Sequence, residues 1–331
     1  MFLLTSVFLF ISEVLYKKRN EIGRVQKYAM LVVMLITILS TCFLFNSMNW
    51  TERAEDSIYY GALDNIPEKK SGNRELLMKS CDIKISFTEN SCSYIVQEYI
   101  SNIYDRRIPF TLYHGLEVIS VKAEDENIDF EREGDILYLT LAEGMEQSLI
   151  TFEVRGNTGD LFPIYENAVY LSSTFPWYPV PGEFVIAQNG FPYGDVEFKN
   201  FELEESADFH VKIEGSEQFY SNLEEISKNE FQGLKKGISL LKGMLISKNI
   251  NDTEYIVPPD RIDDVISKTS EIQGKINYIS KIIERPTKKI PEKIVVKPEY
   301  SSFHQYNYIL AEDYIAASFS RYSTLNDIKG V

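Results

Sequence analysis

CDIKISFTENSCSYIVQEYISNIY, residues 81–104, is the stretch whose reading decides the fold. Apolar residues recur at every second position, Cys81, Ile83 and Ile85 and then Tyr94, Val96 and Ile100, the period of a half-buried strand. Thr88-Glu89-Asn90 interrupts the alternation and reads as a turn, so the segment predicts a hairpin. Working outward, the same pattern returns in IPFTLYHGLEVISVKA (108–123), which breaks at His114-Gly115 and resumes. It returns again in NIDFERE (127–133), DILYLTLA (135–142), QSLITFEVRG (147–156) and AVYLSS (168–173). Turn chemistry separates these runs: Glu-Gly-Asp at 133–135, Glu-Gly-Met at 143–145 and Gly-Asn-Thr-Gly at 156–159. Short strands divided this way predict an antiparallel sandwich or saddle-like sheet pair, with one face of each strand buried.

Further on, STFPWYPVPGEFVIAQNGFPYGD (173–195) is dense in Pro, Gly and aromatics. Phe175, Trp177 and Tyr178 are candidate ligand-facing rings, with packing of a proline-stiffened loop against a sheet edge as the alternative. DFHVKIE (208–214) adds a strand on which His210 faces solvent. The period then changes. In DRIDDVISKTSEIQGKINYISKIIER (260–285) the apolar positions fall three and four apart, which predicts an amphipathic helix opened by Pro259-Asp260 and closed by Arg285-Pro286. IPEKIVVKP (290–298) suits a buried strand, and YNYILAEDYIAASFSRY (306–322) suits either a strand and turn or a helix. A strand after such a helix is how an α/β or α+β segment begins.

The N-terminal region has a different character. Residues 1–16 and 28–46 are apolar, and Lys17, Lys18, Arg19, Arg24 and Lys27 lie between them. The uncharged run from Tyr28 to Phe45 approaches the length needed to cross a bilayer, so residues 1–48 are expected to form a transmembrane hairpin. The positive-inside rule then puts 17–27 in the cytoplasm and 47–331 outside it, an extracytoplasmic region on a multi-pass protein of the cell membrane. Residues 49–79 read as a juxtamembrane linker without periodicity. The expected domains are therefore a hairpin (1–48), the linker, a β domain (80–250) and a helix-and-strand segment (251–331).

Charge excludes one class of partner. The chain has 34 basic and 49 acidic residues; five basic and two acidic ones lie in the first 46, leaving a formal charge of −18 on the rest. Nucleic acid binding needs a basic surface, which this is not. The three cysteines exclude a disulfide framework. Cys81 and Cys92 flank the predicted turn and are candidates for one bridge, with two buried free thiols as the alternative. No catalytic, cofactor-binding or metal-binding motif is present: His114, His210 and His304 are far apart in sequence, and there is neither a G-x-S-x-G elbow nor a phosphate-binding glycine loop. His304 with Glu299 or Asp313 could imitate a dyad, though a polar strand-end cluster explains it as well.

The order of these pieces resembles the N-terminal β domain of the gluzincin zinc aminopeptidases, the family that includes leukotriene A4 hydrolase-like enzymes. The likeness rests on CDIKISF as an opening strand, on the block from Ile108 to Leu141, on AVYLSSTFPWYPV with its aromatic-Pro pair, and on DFHVKIE with the later FQGLKKGISLLKG. The helix and IPEKIVVKP resemble the opening of that family's catalytic domain. The hairpin resembles the last spans of an ABC-type permease, as in bacterial proteins that fuse a permease to an aminopeptidase-like region. The family's zinc chemistry needs His-Glu-x-x-His and a downstream glutamate, and its substrate loop has Gly-Ala-Met-Glu-Asn; neither motif occurs here.

The resemblance thus implies a non-enzymatic component or truncated remnant of a permease and aminopeptidase-like system. Such a component would bind a peptide or partner protein, with the bilayer and permease subunits as its other partners and no cofactor. A metallopeptidase part whose zinc site comes from another chain, and an extracytoplasmic sensor or adhesion module, are the alternatives.

Overall fold

A computed structural model describes residues 59–60, 76–159, 161–190, 195–198, 201–282, 293–296, 308–310 and 314–317. The chain divides between Ala54 and Glu55, and every described residue belongs to the second unit. The strands run in chain order as β1 (Leu77–Phe87), β2 (Ser91–Ser101), β3 (Arg107–Thr111), β4 (Leu116–Ala123) and β5 (Glu126–Asn127). Next come β6 (Phe130–Glu133), β7 (Ile136–Thr140), β8 (Gln147–Asn157), β9 (Ile164–Tyr165), β10 (Ala168–Leu171) and β11 (Val180–Pro181). They are followed by β12 (Ala187–Gly190), β13 (Asp195–Phe198), β14 (Ala207–Glu214), β15 (Tyr220–Ser221), β16 (Glu224–Ser227) and β17 (Glu230–Lys235). The last elements are β18 (Leu240–Lys242), β19 (Ile246–Ile250), β20 (Thr253–Val257), the helix α1 (Ile262–Ile282), β21 (Lys293–Val296), β22 (Tyr308–Leu310) and β23 (Tyr314–Ala317).

Eight strands make the main sheet, in the order β16-β17-β14-β1-β2-β8-β4-β5. Strand parity decides which side is buried. Ile83 and Ile85 of β1 lie opposite Val96 and Tyr94 of β2, and all four are at most 2 % exposed. Their neighbours one position away, such as Lys84 and Ser93, face water. The buried side meets a four-stranded sheet, β11-β3-β7-β6, where Phe110 of β3 packs edge-on against Phe152 of β8 at 5.2 Å between ring centres. Each such ring, fully enclosed, contributes about 1.5–3 kcal/mol. A second four-stranded sheet, β15-β18-β10-β9, and the pair β12-β13 complete the β region.

One pairing departs from an all-antiparallel plan: β1 lies parallel to β14. Alternation reports which face is buried and is silent on direction, so the sequence could not distinguish the two arrangements.

The C-terminal sheet, β19-β20-β21-β23-β22, is also mixed, with β20, β21 and β23 mutually parallel. α1 connects β20 to β21, the crossover that a parallel pair requires. A single 3-10 turn at Pro259–Arg261 precedes it, so Asp260 sits outside the helix. Val265 on its inner face packs with Tyr255, Val257 and Ile294. Within 306–322 the described residues form two strands, β22 and β23.

The expected membrane-anchored architecture is corrected. The described chain is mainly β, and among its described residues no helix is long and apolar enough to cross a membrane. Asp263, Asp264 and Lys281 of α1 are exposed. The runs at 1–16 and 28–46, on which the hairpin rested, lie outside the described residues. The multi-pass placement, with 17–27 cytoplasmic and 47–331 extracytoplasmic, therefore has no described helix behind it.

Candidate functional site

Cys81 and Cys92 are free and buried, and no bridge joins them. The hairpin register explains this: Cys92 faces Phe87, while Cys81 faces Glu98. Six strand positions separate them, roughly 20 Å along the sheet, and a disulfide needs Cα atoms within about 7 Å. A turn at 88–91 carries residue 92 back to 87 and no further. Burial pushes the Cys92 thiol up to about 12. Cys81 is raised well above its ordinary value, first by burial and then by the neighbouring Glu98 and Asp82 carboxyls.

The three rings offered as ligand-facing are interior instead. Phe175, Trp177 and Tyr178 are each at most 2 % exposed. The Trp177 indole N–H donates to the Ile238 carbonyl at 2.9 Å, and the Tyr94 hydroxyl donates to the Trp177 carbonyl. Tyr178 meets Phe209 of β14 edge-on at 5.9 Å. All three rings belong to the main hydrophobic core.

The histidines are dispersed. His210, on the solvent face, lies between two carboxylates: Nδ1 is 3.0 Å from Asp82 Oδ1 and Nε2 is 3.0 Å from Glu230 Oε1. Ser227 donates to the other Glu230 oxygen at 2.7 Å. The arrangement ties β1, β14 and β17 across three strands. The two acids sit on opposite ring nitrogens, so one ion could not be held by all three groups.

His114 lies elsewhere, in the loop between β3 and β4. Its backbone N–H donates to Asp135 Oδ1 at 2.7 Å, and its Nδ1 is 3.1 Å from the same oxygen. His304, Glu299 and Asp313 lie outside the described residues. Among the described residues, no group of three or more His, Cys, Asp or Glu could hold a metal ion.

Glu98 went unremarked in the sequence and is the most unusual ionisable group described. It is fully buried on the inner face of β2, and neither carboxyl oxygen has a hydrogen-bond partner. Burial alone holds its carboxyl well above the usual carboxylate range. Ser148 of β8, equally buried and also without a partner for its hydroxyl, lies on the same face one diagonal away, because Glu98 pairs with Ile150 and Ile100 with Ser148. The signal was present: Tyr94, Val96, Glu98 and Ile100 share a parity, so the rule that buries the first two also buries the third.

No protein-family model matches the chain, and no curated protein matches it. Solved structures do. Yeast LTA4 hydrolase, in complex with bestatin, aligns over 77 % of this chain and 43 % of its own length, with 15 % identity and a TM-score of 0.50. Legionella pneumophila aminopeptidase A, in complex with aspartic acid, aligns over 75 % of this chain and 31 % of its own, with 12 % identity and a TM-score of 0.51. The chain spans less than half the length of either protein, and neither comparison touches on a permease. At these identities the likeness is one of fold: the chain shares the architecture of the N-terminal β domain of such aminopeptidases.

Proposed function

We propose that this chain supplies the β domain and opening sheet of an aminopeptidase-like protein, hydrolyses no peptide bond itself, and acts by binding an extended peptide or partner chain. The observation that supports this reading is the dispersal of the histidines. His114 and His210 are each engaged by carboxylates on different loops and faces, and no zinc-type helix motif occurs in the sequence. A hydrolytic zinc site needs three protein ligands converging on one point with a fourth position open.

Binding by strand addition requires an accessible sheet edge. β16, at one end of the main sheet, is ill suited. It carries Glu224 and Glu225 and a register irregularity before Ser227, features that resist addition. β19 pairs with β20 without a bulge. The two-residue turn at Asn251-Asp252 directs the hydrogen-bonding groups of Ile250 and Lys248 toward β20, leaving those of Ser247 and Asn249 pointing outward.

Two measurements on the purified full chain test the proposal. Elemental analysis should find zinc far below one equivalent, and aminoacyl-coumarin substrates should not be turned over. Stoichiometric zinc together with turnover would overthrow the reading.

A further inference from the structure

Tyr59 and Tyr60 precede β1 by more than a dozen residues, yet both are seated against the β region. Tyr60 is fully buried; its hydroxyl donates to Asp135 Oδ1 at 3.4 Å, and its ring meets His114 edge-on at 5.3 Å. Tyr59 stacks on the His114 ring at 3.9 Å with 26° between the planes. The floor beneath it is Gly134, at φ +60, where a Cβ would collide with the Tyr59 hydroxyl. That glycine therefore serves the turn and clears space for a phenol.

The seat has a hydrogen-bond network of its own. The Arg132 guanidinium donates to the carbonyls of Gly134, Leu116, Leu112 and Tyr113. The Leu112 N–H donates to the Asp135 carbonyl at 2.8 Å, and the His114 N–H donates to the Asp135 carboxylate. None of these bonds uses the incoming residues. A cavity wall, one stacking surface and one anionic acceptor make a recognition site.

We propose that the loops 112–116 and 132–135 form a receptor for a pair of adjacent tyrosines, and that its occupant is the chain's own Tyr59–Tyr60, docked as a separable ligand. The chemistry is selective. The first ring stacks on an imidazole, and the second must offer a neutral O–H to Asp135; phenylalanine there lacks the donor, and a phosphorylated ring would meet a carboxylate. Burial, followed by the Asp135 charge, pushes the Tyr59 hydroxyl up to about 12, in keeping with a seat for uncharged phenols.

The test uses the full chain carrying Tyr59→Ala and Tyr60→Ala, with its fold checked by circular dichroism and Trp177 emission. The probe is a fluorescent peptide of residues 55–62. Saturable binding to the double variant is expected, with at least tenfold weaker binding to the unsubstituted chain, whose receptor is filled. Peptides with alanine for Tyr59 or phenylalanine for Tyr60 should bind at least tenfold less well, and adding D135N to the receptor should have a similar effect. Equal binding to both forms of the chain, indifference to the peptide's tyrosines, or no binding to a folded double variant would each overturn the proposal. The outcome is independent of whether the chain serves an aminopeptidase-like protein.

Discussion

Glu98 shows how one residue can set the pH response of a sheet. Its carboxyl is buried without donors, so the folded state favours the protonated form. The folded pKa lies above the unfolded value of 4.5, and the stability associated with this group is complete below that value and lost as pH rises through the folded pKa. Glu98→Gln removes the ionisation. Urea unfolding should show the variant about 1–2 kcal/mol more stable than the parent at pH 8 and indistinguishable from it at pH 4; a destabilised variant at both values would argue against this. Parity made the burial of Glu98 legible in the sequence, whereas nothing there announced its lack of partners, because that depends on which side chains arrive from other strands. Tyr59 and Tyr60 were illegible for a related reason. Two tyrosines in a polar, aperiodic stretch have no spacing to read, and the seat that receives them is built from residues more than 50 positions away.

Among elements, Lys293 of β21 adds a polar tie between the C-terminal sheet and the β region, beside the apolar packing of Ile256 and Val295 in the main core. Its ammonium, mostly buried, donates to the carbonyls of Ser221 and Leu223 at 2.7 and 2.8 Å and pairs with Glu254 of the adjacent β20 at 2.9 Å. Lys293→Met keeps the stem and removes all three contacts. A loss of about 2–3 kcal/mol is expected, together with faster amide exchange in β20 and β21 and little change in β2 and β8. Uniform loss across both sheets would refute a local tie. The long strands of the main sheet, such as β1, β2, β8 and β14, were readable because each keeps one wet face, so alternation survives in their composition. β21 was readable as a strand from its β-branched run, but the inward turn of its lysine was not: the carbonyls that draw it in belong to Ser221 of β15 and to Leu223 just after it.

For the molecule as a whole, Cys81 is a reporter of global opening. It sits at the middle of the eight-stranded sheet with no exposed surface, flanked by β2 on one side and β14 on the other. In a Cys42→Ser background, Ellman's reagent should leave the native protein almost unmodified and titrate two thiols in urea. Labelling of Cys81 should follow the unfolding equilibrium rather than local fraying, and rapid native-state reaction would contradict the burial. The overall plan was legible only as far as composition and period reach. They separate β from helix, but say nothing of strand direction, and the apolar N-terminal runs drew the reading toward a membrane that no described helix spans. The parallel contact between β1 and β14 has a consequence for synthesis on the ribosome. β1, β2, β4 and β8 can assemble once Asn157 has emerged, but the far edge of β1 has no neighbour until β14 is made, 57 residues later. At about 5–20 residues per second, that edge stands open for roughly 3–11 seconds in every nascent chain, an interval in which a chaperone, or another nascent copy, can reach it first.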